Sequence, residues 1–230
     1  EFRISQNWVG GPTINTATFV PPPPHEMNKA LFDLENFIHD TKIKLPALVK
    51  AGLIHAQFET IHPFLDGNGR TGRLLITFQL YKDGILSRPL LYISDFFKKN
   101  RRDYYDKLNS YRFDDGVEPW LKFFLEGVRD VSDEAVETAR KITALREKDI
   151  KKVSTFGRNA DTALKLLNDL YKNPIVNSKI VARLTGLSSK DTVSDLIEKF
   201  VKAEILHEMT GKPRYRRYIY REYMDQFTKE

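Results

Sequence analysis

The stretch HPFLDGNGRTGR, residues 62–73, dominates the chemistry that this chain of 230 residues can carry out. Its glycines at 67 and 69 permit backbone conformations in which successive N–H groups converge on an anion. The helical pattern that follows adds the positive end of a helix dipole at the same place. Arg70 and Arg73 are three residues apart, hence on one helical face, and their planar donors suit phosphate oxygens. The stretch therefore predicts a cradle for a polyphosphate.

Three side chains of this stretch are candidates for more specific roles. Asp66 lies beside the cradle, where a carboxylate can hold Mg2+ on phosphate oxygens; the alternative is an aspartate that accepts loop N–H groups. Asn68 can donate to phosphate or stabilise the turn. His62 precedes a proline, where a histidine is often structural, but a neutral imidazole beside bound phosphates can take the proton of an attacking hydroxyl. His55, on the same helical face, is expected to be a buried and hydrogen-bonded scaffold residue.

Eight positions of the stretch match the pattern HxFx(D/E)GNGRxxR, and on these residues the chain resembles the Fic domain family. The likeness covers about the first 150 residues, because residues 2–11, 19–24, 58–62 and 100–105 are also similar to this family. It implies a mainly α fold, in which a Fic-type helical domain carries a small β-hairpin flap. The matching positions are His62, Phe64, Asp66, Gly67, Asn68, Gly69, Arg70 and Arg73.

Members of this family mostly transfer AMP from ATP to protein hydroxyls. The resemblance implies this reaction on a Tyr, Thr or Ser of a target protein, with self-modification also open. His62 would be the catalytic base, Asp66 the ligand of Mg2+, and ATP the substrate. Gly69 favours AMP transfer, since relatives that phosphorylate tend to carry lysine at that position. The resemblance assigns ATP binding to Gly67, Asn68, Gly69, Arg70, Thr71, Gly72 and Arg73.

The resemblance also implies that residues 6–20 form a flap, on which the target protein docks by β-strand addition. Pro21–Pro24 would then be a stiff polyproline strut between the flap and the first helix. Part of the flap is expected to approach the nucleotide, and one of two tyrosines to line the adenine site, although aromatics at helical spacing usually belong to a core. These candidates are Val9, Gly10, Gly11 and Pro12 in the flap, and Tyr104 or Tyr105.

Many relatives carry an inhibitory helix with the motif (S/T)xxxE(G/N), whose glutamate pairs with the second arginine of the cradle. Residues 31–36 and 143–148 come near this motif, but Leu31 replaces the required Ser or Thr, and Lys148 the required Gly or Asn. We expect the inhibitory element upstream of Glu1.

Helical periodicity in the first 150 residues predicts helices around 30–38, 48–61 and 70–83, one from Ser94 to Leu108, and a long one over 120–148. The resemblance assigns residues 1–150 to the Fic-like catalytic domain. Residues 151–160 are polar and contain a glycine, so they are predicted to be a linker.

The order of elements changes over residues 161–230, where three short helices precede two short strands around Thr210–Pro213. This order is typical of a small winged-helix (α+β) domain. Residues 151–230 carry 16 Lys and Arg against 10 Asp and Glu, so the whole net charge of +6 lies there. Basic and aromatic residues concentrate in the predicted wing, which could contact DNA or another protein. The basic ones are Lys212, Arg214, Arg216, Arg217 and Arg221.

The wing leaves a second function open, a DNA-binding transcriptional regulator whose Fic-like domain senses a nucleotide. The intact His62, Asp66, Arg70 and Arg73 favour the enzyme, since a sensor has no need of a base. The absence of cysteine and of a long apolar run indicates a cytoplasmic protein without a membrane segment. Assembly into a homo-oligomer is compatible with the sequence.

Overall fold

The computed structural model describes residues 1–89 and 91–227. The chain forms two compact units, Glu1–Asp133 and Glu134–Glu230. The unit boundary lies inside a long helix, which also includes the first four residues of the expected linker 151–160. The division into a catalytic domain over 1–150 and a second domain over 161–230 stays a prediction.

The first unit is built from helices, which confirms the predicted mainly α fold. Two of them lie on either side of residues 62–67 and position the motif between their ends. The helices are α1 (Pro24–His39), α2 (Ala47–Ile61), α3 (Asn68–Lys82), α4 (Ile93–Lys99), α5 (Arg101–Phe113) and the first part of α6 (Val117–Ser154).

Three helix predictions need correction. Pro24 is the first residue of α1 rather than the end of a strut, because proline lacks only an N–H that has no partner at that position. The helix predicted from Ser94 to Leu108 is two helices, and the break is at Asn100, whose side chain donates to the Phe96 carbonyl at 3.0 Å. α6 is longer than 120–148, because Val153 is fully buried in the core of the second unit.

A largely aromatic core fixes α2 against α4, α5 and α6. Trp120 is fully buried, and its indole Nε1 donates to the Gly52 carbonyl at 2.9 Å. A Cβ at Gly52 would lie 2.9 Å from the Phe124 ring, so this glycine permits the close approach of α6. A second cluster, around Met27, Leu34 and Phe58, packs α1 on the other side of α2.

The predicted flap is a hairpin held by a single antiparallel bridge between Val9 and Phe19. The Val9 N–H donates to the Phe19 carbonyl at 2.8 Å, and a 3-10 turn at Ile14–Thr16 closes the loop. Gly10 and Gly11 both have positive φ, and a Cβ on either would lie within 2.5 Å of the returning strand. The turn therefore requires glycine at both positions.

The second unit has its own apolar core and a small antiparallel sheet in the order β1-β3-β2. Asn177 caps α8 by accepting from the Ile180 N–H at 2.9 Å, and Gly186 ends that helix in the left-handed conformation. The order of helices and hairpin agrees with the predicted one, and the winged-helix identification stays a prediction. The elements are α7 (Ala160–Leu170), β1 (Ile175–Val176), α8 (Ser178–Thr185), α9 (Lys190–Lys202), β2 (His207–Glu208), β3 (Tyr218–Ile219) and α10 (Arg221–Met224). Within the described residues, no helix is long and apolar enough to cross a bilayer.

Candidate active site

His62 lies directly after α2 in a left-handed backbone conformation, with φ 50° and ψ 59°. Such a conformation is uncommon for a residue other than glycine and persists only where its surroundings hold it. The His62 N–H donates to the Phe58 carbonyl at 2.9 Å. The His62 carbonyl accepts from Arg3 Nε at 3.0 Å and from Asn7 Nδ2 at 3.2 Å. Both ends of its backbone are therefore fixed.

The imidazole of His62 is held from one side by Glu59. Nδ1 lies 3.3 Å from the Glu59 carbonyl oxygen and 3.8 Å from the carboxylate oxygen Oε2. A proton on Nδ1 satisfies that carbonyl and leaves the lone pair on Nε2. Burial lowers the pKa of His62 to about 4, so the ring is neutral at pH 7 and able to accept a proton.

Asn68 organises the loop between His62 and α3. Its Oδ1 accepts from the Phe64 N–H at 2.8 Å, and its Nδ2 donates to the Phe64 carbonyl at 2.7 Å. The ring of Phe64 packs against Phe2 and Phe58. Because the Asn68 side chain is only 2% exposed and bonded at both ends, its geometry favours the turn-stabilising alternative over a side-chain contact to phosphate.

The cradle itself is the N-terminus of α3. Gly67 precedes the helix with φ 89°, and the first N–H groups of a helix have no partner within it. Arg70 extends over Gly67 and reaches Asp66 with an Nη2–Oδ2 distance of 3.1 Å. Arg73 lies over Gly69, where an added Cβ would come within 3.0 Å of its Nη1. The two guanidinium groups thus lie at the N-terminal end of α3.

Gly72 has a different role from the ATP contact expected of it. It is buried and faces α2, where a Cβ would lie 2.6 Å from Glu59 Oε1 and 3.2 Å from the ring of His55. This glycine therefore lets α2 and α3 approach each other. Thr71, one residue earlier, bonds the Gly67 carbonyl through its hydroxyl at 3.1 Å and reinforces the first turn.

Glu59 is a functional candidate that sequence reasoning missed. Its side chain is 8% exposed, and Oε1 has no hydrogen-bond partner among residues 1–89 and 91–227. Burial raises its pKa to about 7, against the opposing effect of Arg112 and Arg73. The signal was present in the sequence, since a glutamate three residues before His62 lies on the same face of α2.

Arg112 of α5 is a second residue that no sequence pattern indicated. Its Nη2 donates to the Glu59 carbonyl at 3.0 Å, and its Nε donates to the Thr60 hydroxyl at 3.3 Å. The guanidinium also lies 3.7 Å from the centre of the Phe19 ring, which belongs to the flap bridge. Burial lowers the pKa of Arg112 to about 10. Arg112 therefore joins the flap to the last turn of α2.

The two tyrosines expected at the adenine site differ in accessibility. Tyr104 is 6% exposed, stacks on Phe97 and bonds His55 Nε2 through its hydroxyl at 3.0 Å. This placement makes Tyr104 a core residue and does not favour a contact to adenine. Tyr105 keeps a partly exposed ring, with Arg101 5.8 Å from its centre. His55 is fully buried, as expected, and burial lowers its pKa to about 4.

Val9, Gly10, Gly11 and Pro12 form the turn side of the flap, and their approach to a nucleotide stays a prediction. The flap residue that does contact the motif is Asn7, whose Nδ2 donates to the Phe64 carbonyl at 2.8 Å as well as to that of His62.

The surroundings of Asp66 fit a ligand of Mg2+. Its carboxylate is 93% exposed at the helix end and has Arg70 as its partner. Mg2+ is commonly held by one or two carboxylates together with substrate phosphates. A single exposed carboxylate beside the cradle fits that arrangement. In the described part of the chain, no group of three or more His, Cys, Asp or Glu side chains is placed to hold a metal without a substrate.

The chain is similar to known proteins over part of its first unit and, more weakly, over most of its length. Residues 1–80 match the model of the Fic/DOC family. The chain is 35% identical over 127 residues to a protein adenylyltransferase Fic of Aedes aegypti, which covers 55% of this chain and 23% of that protein. It is 25% identical over 197 residues to a probable protein adenylyltransferase of Aquifex aeolicus (strain VF5), which covers 80% of this chain and 52% of that protein. The chain thus spans about a quarter to a half of these relatives.

A crystal structure of a Fic family protein from Desulfovibrio desulfuricans G20 resembles this chain with a TM-score of 0.52. The two sequences are 23% identical, and the similarity covers 95% of this chain and 62% of that chain. This likeness shows a shared fold.

Proposed function

We propose that this chain, whose residues 1–80 match the Fic/DOC family, is a protein adenylyltransferase, which transfers AMP from ATP to a Tyr, Thr or Ser hydroxyl of a target protein. The observation that carries the proposal is the neutral, rigidly held His62 next to the N-terminus of α3 and its two arginines. A base and an anion cradle at the ends of two packed helices are the parts that such a transfer needs.

In the proposed reaction, His62 Nε2 takes the proton of the target hydroxyl as its oxygen attacks the α-phosphorus of ATP. A bond forms between that oxygen and the α-phosphorus, the α–β phosphoanhydride bond breaks, and diphosphate leaves. Arg70, Arg73 and the free N–H groups of α3 bind the phosphates. Asp66 would hold Mg2+, which neutralises phosphate charge and stabilises the departing diphosphate. To hold the metal, Asp66 would give up its contact with Arg70.

The target is proposed to dock on the flap, residues 6–20. Trp8, Ile14 and Val20 each expose more than two fifths of their side chains there, which is apolar surface that a bound segment would cover. A single backbone bridge leaves further strand edge available for pairing. The basic wing over 212–217 is exposed and is proposed as a second contact, to protein or DNA.

The test is incubation with ATP labelled in the α-phosphate, Mg2+ and a cell lysate, followed by detection of labelled protein. We expect the wild-type chain to label protein and His62→Ala to lose at least about 100-fold of the rate, the usual contribution of a general base. His25→Ala is the matched control, because His25 is an exposed histidine on α1. Transfer that survives His62→Ala would refute the base, and specific DNA retention without any transfer would refute the enzyme.

A further inference from the structure

Glu59 presents an unusual electrostatic situation directly behind the proposed base. A buried carboxylate normally has charged or hydrogen-bonding partners, since an unpaired one is costly. Arg112 bonds the backbone carbonyl of Glu59 and not its carboxylate. Within residues 1–89 and 91–227, the one ion-pair partner within 4.0 Å of the Glu59 carboxylate is His62, at 3.8 Å from Nδ1.

The space around the carboxylate is kept open by Gly72. A Cβ at that position would lie 2.6 Å from Glu59 Oε1, so any larger residue would displace the carboxylate from its place beside His62. Other titratable groups also face this place. They are His55 on α2, Arg73 on α3, and Tyr104 and Arg112 on α5.

We propose that Glu59 is a positioning residue for His62, in which the backbone carbonyl fixes the Nδ1–H tautomer and the carboxylate stabilises the imidazolium that forms during transfer. The inference rests on the proposed function. In the step itself the hydroxyl proton moves to Nε2, and the Nδ1 proton stays on the ring and points to Glu59. Glu59 gains no proton in this step, and the proton on Nε2 leaves to water after diphosphate has departed.

The protonation state of Glu59 then controls the reaction. Its pKa is raised to about 7 by burial, so the carboxylate is largely protonated at pH 6 and largely ionised at pH 8. Only the ionised form attracts an imidazolium. His62 itself, with a pKa of about 4, is already neutral over this whole range. A rise in rate around pH 7 would therefore report Glu59 and not His62.

The kinetic test compares wild type with Glu59→Gln, which keeps the shape of the side chain and removes its charge. At pH 8 we expect kcat to fall about tenfold or more, with KM for ATP changed by less than about twofold. We also expect the rise around pH 7 to disappear, while Glu59→Asp keeps it. Glu35→Gln is the matched control, because Glu35 is an exposed glutamate on α1. A Glu59→Gln kcat within about twofold of wild type would overturn the inference.

A second measurement needs no activity. The ring resonances of His62, followed by NMR without substrate, should shift near pH 7 with Glu59 and again near pH 4. Only the step near pH 4 should remain in Glu59→Gln, with the exposed His25 as reference. A His62 titration identical in both proteins would overturn the inference, whatever the activity. By contrast, a wild-type chain that transfers no label while its His62 senses Glu59 would refute the proposed function and leave the coupling established.

Discussion

Replacing Glu59 by glutamine should stabilise the first unit at the same time as it lowers activity. Burial raises the pKa of Glu59 from the ordinary 4.5 to about 7, so the folded state holds this proton more tightly than the unfolded state does. Stability is therefore lost as pH rises from 4.5 through 7. Each unit of difference in pKa corresponds to about 1.4 kcal/mol, so the buried carboxylate lowers the free energy of unfolding at pH 8 by about 3 kcal/mol. Glutamine carries no such penalty, although its buried amide needs partners, so we expect a net gain of about 1–3 kcal/mol.

The assay is urea denaturation of wild type and Glu59→Gln at pH 5 and pH 8, followed by tryptophan fluorescence. Both tryptophans, Trp8 and Trp120, lie in the first unit, so the signal follows that unit. His55 and His62 have lowered pKa values and act with the opposite sign, since protonation below pH 6.5 favours the unfolded state. They are present in both proteins, so to first order their effect cancels from the difference.

The expected result is a stability difference that is small at pH 5 and largest at pH 8. A difference that stays the same at both pH values would refute the reasoning, because it would mean that the Glu59 carboxylate is not destabilised by burial. A Glu59→Gln variant that is less stable than wild type at pH 8 would refute the reasoning as well. Glu35→Gln, with its exposed side chain, should show no pH-dependent difference.

Three further substitutions test the roles of neighbouring residues. Gly72→Ala should destabilise the first unit by about 1–3 kcal/mol, measured by urea denaturation, because its Cβ would lie 2.6 Å from Glu59 Oε1. Gly69→Ala should leave stability nearly unchanged and raise KM for ATP a few-fold, since its Cβ comes closest to the flexible end of Arg73, at 3.0 Å, and reaches Glu59 Oε1 only at an ordinary contact distance of 3.9 Å. An unchanged KM would argue against Arg73 as a phosphate ligand. Asn177→Ala should cost the second unit about 1 kcal/mol by removing the cap of α8, measured by hydrogen exchange, while label transfer by the first unit continues.

Local signals allowed the centre of the site to be predicted from sequence. The glycines at 67 and 69 were both expected to adopt unusual backbone conformations ahead of the helix. Gly67 does so with a positive φ, whereas Gly69 lies inside α3, which begins at Asn68 rather than near Arg70. The prediction that His62 accepts a proton from the target hydroxyl came from its neighbours in the motif and from the resemblance, and the environment that makes the ring neutral was not visible in the sequence. That environment is chiefly burial, with a smaller contribution from the charge of Arg112 on α5, a residue distant in sequence.

Side chains that bond to nearby backbone explain two points that the sequence did not decide. Asn100 looked like an ordinary helical residue, but its amide bonds the Phe96 carbonyl and ends α4 early. For Asn68 the sequence left a phosphate contact and a stabilised turn as alternatives, and its amide closes the loop on Phe64. Tyr104 and Gly72 were assigned by the resemblance, and the structure packs both against buried residues: Gly72 of α3 faces α2, and Tyr104 of α5 lies in the core.

The end of α2 is closed by residues from the beginning of the chain. Arg3 donates to the carbonyls of Ile61, His62 and Pro22, and the Arg3 N–H donates to the Pro63 carbonyl at 2.9 Å. Any shorter version of the first unit intended for crystallisation or screening must therefore keep residues 3–7, even though the helices begin only at Pro24. A fragment cut at the first helix would retain every residue of the motif and lose the groups that hold His62 in its uncommon backbone conformation.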